Sequence, residues 1–409
     1  MNALPETRSP TTSFYLTAVI LGLLTAVGPF AIDMYLPALP SIEKGLDTDT
    51  ATVQLSLLSF FVAMSLSQLV YGPLADIYGR KRPLFLGLVL YLLGAVGSAM
   101  APDIWWLIAA RALQGLGAAS GMVIARAVVR DLHTGPDAAQ LMATLMLVVS
   151  VAPVLAPLGG SMVLAIGDWR MIFWAMALAA IAAIVLLTLA LTETRPPEKR
   201  GNSSVTRSLK DYGSLLRDPK FLGVVFVAAF AMASFMTYVA NSSFILIGHY
   251  GLSPTHYSLA FSINAAGFIG VAQLSGFLSR RIGLGPMMRF AITANIVIML
   301  SLLLVMMAGV AALPVMIIML FCGYACLGLV VPSAAELALD EHGEKAGTAS
   351  ALMGTLQFMT AAVMIAAVMI GIAGLFFDGT PVRMIAAIAT CSIVAFVLAM
   401  VSVPRGRFG

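Results

Sequence analysis

Long apolar stretches alternate with short polar breaks along almost the whole chain. The first stretch starts at about Ser13 and holds a single charge, Asp33, before ending in SIEKGLDTDTAT. Breaks follow at ADIYGRKRP, APDIWW, RDLHTGPDAA and AIGDWR, then a longer one at TETRPPEKRGNSSVTRSLKDYGSLLRDPK. The pattern resumes beyond it, interrupted at HYGLSPTHY, SRRIGLGP, AGVAALP, LDEHGEKAG and FFDGTPVR. A helix needs about 20 apolar residues to cross the hydrocarbon layer, and the stretches between breaks are of that order. The pattern predicts twelve membrane-spanning helices. The weakest break is AGVAALP, which has no charge.

Composition agrees. Of 409 residues, 60% are hydrophobic and 10% charged, against roughly 25% charged in soluble domains. Mean hydropathy is +0.98. A soluble fold could not hide this much apolar surface. The net charge of +4 does not call for a nucleic-acid partner, because the basic residues have another use. Nineteen Lys and Arg fall at one set of breaks, and only Lys44, Arg170 and Arg383 at the other. Basic loops stay in the cytoplasm, so both termini are expected there. The first apolar run exceeds a signal-peptide core of about 7–15 residues, so the first span is expected to be retained. Cys322, Cys326 and Cys391 lie in apolar stretches and read as small buried hydrophobes, with neither a disulfide framework nor a metal site. His133, His249, His256 and His342 fall near span ends and no nucleotide-binding loop is present. This argues against a membrane enzyme and against ATP drive; no cofactor is expected.

The chain repeats. GPLADIYGRKRP begins at Gly72 and GFLSRRIGLGP at Gly276, an offset of 204 residues; both read Gly-x-Leu with a second glycine seven residues after the first. Parallel repeats build carriers with a midplane site between the halves. The expected division is a six-helix bundle over 1–191, a cytoplasmic linker over 192–219 and a second bundle over 220–409. In the linker, Leu209, Tyr212, Leu215 and Leu216 share one helical face; residues 206–218 form either a short interfacial helix or a loop.

Two charges lie inside spans. An ionised Asp in the bilayer costs at least about 2.5–3.5 kcal/mol, so Asp33 needs a reason. Arg111 sits seven residues into its helix, counting from Ile104, roughly 10 Å deep. Burial and a nearby cation pull on a carboxyl proton in opposite directions. Asp33 balanced by Arg111 is therefore the expected proton-coupling pair, with one proton per cycle. Candidate pocket residues with inward spacing are Phe30 and Met34, Gln114, Met146 and Ser150, Tyr238 and Asn241, and Gln357 and Phe358. In span five, Pro153 and Pro157 remove two backbone donors on one face, and Gly159 and Gly160 permit close packing, so a bend and a tight helix contact are expected there.

AIDMYLPALP in span one, GPLADIYGRKRP after span two, RALQGLGAASGMVIARAVVRD in span four and APVLAPLGGS in span five together resemble the major facilitator superfamily. Within it the chain is similar to the twelve-span drug/proton antiporters of the bicyclomycin and chloramphenicol resistance (Bcr/CflA) type, and SSFILIGHYGLSP looks like that branch too. Three positions depart from the pattern. Ile77 stands where a basic residue is usual, Ala156 and Ser161 replace glycines of the span-five signature, and span one has no second acid.

The resemblance implies an all-α fold of two pseudo-symmetric six-helix bundles in a bacterial inner membrane, with a monomer expected. It implies export of small amphipathic drugs driven by the proton gradient, or carriage of a metabolite such as a sugar or nucleoside. It also implies that Asp76 belongs to a latch with Gly72, Gly79, Arg80 and Asp131. In that latch Asp76 would face the free N–H groups at the start of span eleven, near Gly347, and Gly72 would let spans two and eleven approach.

Overall fold

The computed structural model describes residues 10–132, 135–200, 205–310, 312–340, 342, 345–370 and 381–403. The break expected after span eleven at FFDGTPVR lies largely outside them, as do Arg8, Arg405 and Arg407. The described residues are almost all helical, with no strand.

The first half holds α1 (Pro10–Asp33), α2 (Leu39–Gly45), α3 (Thr50–Tyr78), α4 (Lys81–Ala99), α5 (Ile104–Leu132), α6 (Gly135–Ile166) and α7 (Arg170–Ala190). A single 3-10 turn, Leu36–Ala38, joins α1 to α2. The linker carries α8 (Val205–Leu215). The second half holds α9 (Pro219–Ser243), α10 (Pro254–Ala272), α11 (Ser275–Ile282), α12 (Leu284–Met307), α13 (Leu313–Asp340), α14 (Ala346–Ile370) and α15 (Pro381–Ser402). Among the described residues, eleven spans are long and apolar enough to cross a membrane, and α10 with α11, bent by 42°, brings the number to twelve when the pair is taken as one span. The uncharged break AGVAALP is a real turn: α12 ends at Met307 and Gly309 takes a φ of +84°.

Local chemistry sets the ends. The Asp49 carboxylate accepts from Thr52 N at 3.0 Å and caps α3. Asp218 accepts from Lys220 N and Phe221 N and caps α9, with Pro219 at the first helical position, where its missing N–H costs nothing. The repeat is visible in the backbone. Gly79 ends α3 at φ +88° and Gly283 ends α11 at φ +83°, a region that side chains with a Cβ avoid. The motif glycines of the two halves thus make the same turn.

In the first half, α5 packs against α3, α4 and α1, and α1 against α6. Small residues let α5 sit at the centre: a Cβ on Gly117 would run into the Gly87 carbonyl, and one on Gly121 into the Leu24 carbonyl. In the second half α13 packs against α10, α12 and α9. The halves meet along two seams, α3 with α14 and α6 with α10, which are equivalent pairs under the repeat. Of the two readings of the linker, the helical one holds. Tyr212 and Leu215 of α8 are buried, while Leu209 and Leu216 are exposed. Tyr212 Oη donates to the Leu69 carbonyl at 3.2 Å. Lys345, just before α14, donates to Ser214 Oγ at 3.0 Å and lies 3.5 Å from Asp211. α8 therefore touches both halves.

Candidate functional site: two ends of the inter-half interface

The basic breaks lie at one end of the bundle, called here the basic face. At the opposite end the halves are closed by uncharged hydrogen bonds. Ser258 Oγ donates to the Pro157 carbonyl at 2.8 Å and Ser262 Oγ to the Val154 carbonyl at 2.7 Å. Gln54 Nε2 donates to the Ala240 carbonyl at 3.0 Å and to Asn241 Oδ1 at 3.1 Å. Gly160 faces the end of α1 so closely that a Cβ would strike the Met34 carbonyl, whereas Gly159 has nothing within 4 Å. The tight contact expected in span five therefore falls on Gly160 alone. α6 runs through Pro153 and Pro157 as one helix, and both carbonyls that take the serines lie in that stretch.

Asp33, the last residue of α1, lies at this end and is 6% exposed. Among the described residues no cation lies within 4 Å of its carboxylate and no hydrogen bond reaches it. Tyr257 of α10, from the other half, lies near it, and the Tyr257 hydroxyl hydrogen-bonds with Ser242 Oγ at 3.0 Å. Phe30 and Met34 flank it, half-buried.

Arg111 is not its counter-ion. The guanidinium is fully buried and stands 4.3 Å over Phe60, 4.6 Å over Tyr35 and 5.8 Å from Phe173. Its Nη1 donates to Gln114 Oε1 at 2.6 Å, while Nε and Nη2 have no partner. The reason is angular. The chain stays near-helical through Tyr35, and residues two apart on such a backbone point about 200° from one another. Tyr35 therefore turns into the first bundle towards Arg111, while Asp33 turns towards the second half. The expected Asp33–Arg111 pair is corrected to a lone carboxylate and an arginine held between aromatic faces. Gln114 belongs with the arginine, not with an open pocket.

Other expected pocket residues also turn inward. Tyr238 is fully buried, stacked on Phe261 at 5.5 Å, and its hydroxyl accepts from Asn264 Nδ2 at 2.9 Å. Asn241 is held in the closed seam by Gln54. Phe358 packs on Phe61 across the halves at 6.0 Å, beside a reciprocal pair: Ser65 Oγ donates to the Thr355 carbonyl at 2.8 Å, and Thr355 Oγ1 to the Ser65 carbonyl at 3.1 Å. Gln357 is buried nearby in α14. In α6, Met146 is exposed and Ser150 half-buried.

On the basic face the halves part around a vestibule of about 660 Å³ lined by α3, α5, α8 and the start of α14. None of the pocket residues expected from spacing lines it. Its rim carries an ion-pair network. Arg80 donates from Nη1 to Asp76 at 2.8 Å, and from Nε and Nη2 to Asp131 at 2.7 and 3.2 Å. Arg195, in the linker, adds a 3.2 Å contact to Asp76. Sequence reasoning missed Glu193, whose carboxylate accepts the backbone N–H of Arg80 at 2.8 Å and of Lys81 at 3.1 Å, capping α4 from the linker. Burial opposes its charge, but the N–H groups of Arg195, Arg80 and Lys81, with Arg200, hold its carboxyl below the ordinary value.

The network lies wholly in the first half and linker. No N–H of α14 reaches Asp76 among the described residues, because the vestibule stands between them. The expected contact of Asp76 with span eleven is thus absent in this conformation; Gly347 instead faces Arg130. Gly72 has nothing within 4 Å of a built Cβ and lines the vestibule, so it makes no close approach here.

Two bundles joined at equivalent seams, closed at one end and open at the other, are the architecture of a carrier. Residues 21–364 match the family model described as Major Facilitator Superfamily. The chain belongs to that superfamily. It is 36% identical over 350 residues to the uncharacterized MFS-type transporter YdgK of Bacillus subtilis, covering 85% of this chain and 87% of that one. It is 28% identical over 353 residues to the bicyclomycin resistance protein homolog of Haemophilus influenzae, covering 86% and 88%. The fold matches a solved D-xylose–proton symporter at a TM-score of 0.75, with 15% identity over 97% of this chain and 98% of that one. Members of this superfamily are transporters and not enzymes, and this chain is one.

Proposed function

We propose that this transporter exports small amphipathic compounds, drugs among them, in exchange for protons, by alternating access between its halves. The observation that carries the reading is Asp33: a carboxyl buried where the two halves meet, with no cation within 4 Å among the described residues. Burying an unpaired carboxylate is costly, and a protonated one is not. With the seam closed and the site empty, Asp33 therefore keeps a proton; a substrate arriving from the cytoplasmic side displaces it inward, and opening the seam releases the substrate and lets Asp33 take a new proton from outside. A substrate bound beside Asp33 competes with the proton. The name of the bicyclomycin resistance homolog supports a drug as substrate.

The basic face is the cytoplasmic one in this reading, which the nineteen-to-three distribution of Lys and Arg supports; both termini then lie on the cytoplasmic side of what we take to be a bacterial inner membrane. The conformation described is then inward-facing. The Asp76 cluster waits on the first half and takes the start of α14 when the vestibule closes. With one proton per cycle, export of a neutral drug moves one charge and gains about 2.3 kcal/mol per 100 mV. A monovalent cation exchanges without net charge and is driven by the pH gradient alone, about 1.36 kcal/mol per unit.

The test is Asp33→Asn in proteoliposomes. The variant should still equilibrate drug down its own gradient but not accumulate it on a pH gradient. Uphill transport at a near-normal rate would remove Asp33 as the proton carrier.

A further inference from the structure

The ion pairs around the vestibule leave two arginines out. Arg80 and Arg195 take Asp76, Arg80 also takes Asp131, and Lys345 takes Asp211. Arg126 and Arg130 line the same vestibule. Among the described residues, no carboxylate lies within 4 Å of either guanidinium. They stand one turn apart on α5, which puts them on one face. The Nε of Arg126 is buried without any partner. A Cβ built on Gly347 would sit 3.7 Å from Arg130 Nη2. The unsatisfied N–H groups of the first turn of the 25-residue α14 therefore begin beside the same guanidinium. Met122, Val123 and Met142 supply an apolar wall.

An arginine that only anchors a loop points outward to lipid headgroups. These two point between the halves, and leaving a guanidinium nitrogen buried and unpaired is costly. The cavity, at about 660 Å³, is the size that takes a drug-like molecule. Forked N–H donors in a partly desolvated cleft match a carboxylate or a phosphate, two acceptor oxygens at a time.

We propose that Arg126 and Arg130 form an anion-recognition site in the vestibule. Its ligand is a compound with one carboxylate or phosphate group on an apolar body, the anion on the arginine pair and the body against Met122 and Met142. The proposal rests on the exporter reading only in taking that ligand as the exported compound. Proton exchange for such an anion would move two charges per turnover instead of one.

The same chemistry is offered by the headgroup of an anionic lipid, so the test separates the two sources. Purified full-length protein in phosphatidylcholine nanodiscs is titrated calorimetrically with 4-phenylbutyrate, 4-phenylbutanamide and 4-phenylbutylammonium, which share a body and differ in charge. The acid should bind at least about tenfold tighter than the amide, and the ammonium weakest. Arg126→Gln with Arg130→Gln should flatten the series, and Arg126→Lys with Arg130→Lys should restore part of the preference. Monodisperse elution and a wild-type melting temperature check the fold of each variant. An equal affinity for acid and amide in the wild type, or a preference retained by the folded double Gln variant, would overturn the proposal. Repeating the acid titration with phosphatidylglycerol in the disc decides the source. A loss of affinity in the wild type alone assigns the pair to lipid headgroups and overturns its role towards the exported compound; an unchanged affinity leaves the site to solutes. Binding is read without a gradient, so a failure here leaves proton-coupled export standing, and failure of the Asp33 test leaves the anion site standing.

Discussion

The two ends of the inter-half interface are built from different chemistry. At the closed end, serine hydroxyls and one glutamine amide reach backbone carbonyls across the halves, and Asp33 is buried with no cation within 4 Å among the described residues. At the basic end, three carboxylates (Asp76, Asp131 and Glu193) and three arginines (Arg80, Arg195 and Arg200) are tied together, but inside one half and its linker. Neutral bonds of this kind contribute only about 1 kcal/mol each, so a seam made of them can open and shut. Charge-assisted pairs are stronger and stiffer, and kept within one body they survive the motion. The seam at the closed end is neutral, while the Arg80 network at the basic end is charged and held within one body.

The largest expected effect removes what is singular about the closed end: Asp33→Asn abolishes uphill transport, as set out above. Next is the seam itself. Ser258→Ala with Ser262→Ala deletes two cross-half hydrogen bonds, about 2 kcal/mol together, and should shift the population towards the conformation open at that end by roughly 30-fold. Distance measurements between spin labels on α6 and α10 read this; an unshifted distribution would mean that the serines do not hold the seam. Asp76→Asn comes third. Its carboxylate is half-exposed, so the loss is about 1 kcal/mol or less. It should slow the exchange between conformations while leaving equilibrium drug binding within a few-fold. Equal losses of binding and transport would place Asp76 in the site.

Smaller still is Glu193→Gln. The carboxylate at the start of α4 contributes about 0.5–1 kcal/mol. Because its folded value is depressed, that stability is present above its ordinary value of 4.5 and is lost as pH falls below it. Melting temperatures of wild type and variant should therefore differ at pH 7 and converge near pH 3. The smallest effect is a deliberate absence: Arg111→Lys should lower the transport rate but leave its pH midpoint in place, since Arg111 does not face Asp33. A midpoint shift of a full unit would restore the charge pair.

The fold was legible in the chain because its signals are local. Apolar run length decides span count, and even the uncharged AGVAALP ends a helix, through the positive φ of Gly309. The 204-residue repeat shows itself again in the matching turns at Gly79 and Gly283. The grouping of Arg80 with Asp76 and Asp131 was expected from a motif, and the three do meet. What spacing could not supply was direction. Tyr238 and Asn241 lie on an inward face, yet one fills an aromatic core and the other a seam. Asp33 and Arg111 are the two charges placed deepest in the spans, yet a turn of about 200° between Asp33 and Tyr35 sends the carboxylate one way and the arginine's partner the other. Glu193 carries no local mark that it caps residues 113 positions earlier, and Ser65 none that it meets Thr355 across 290. By itself the sequence determined which segments are helices, how many cross the membrane and which residues are charged. Tertiary structure alone decided which of those charges are paired and which stand alone, because pairing depends on contacts between halves that periodicity along one helix does not encode.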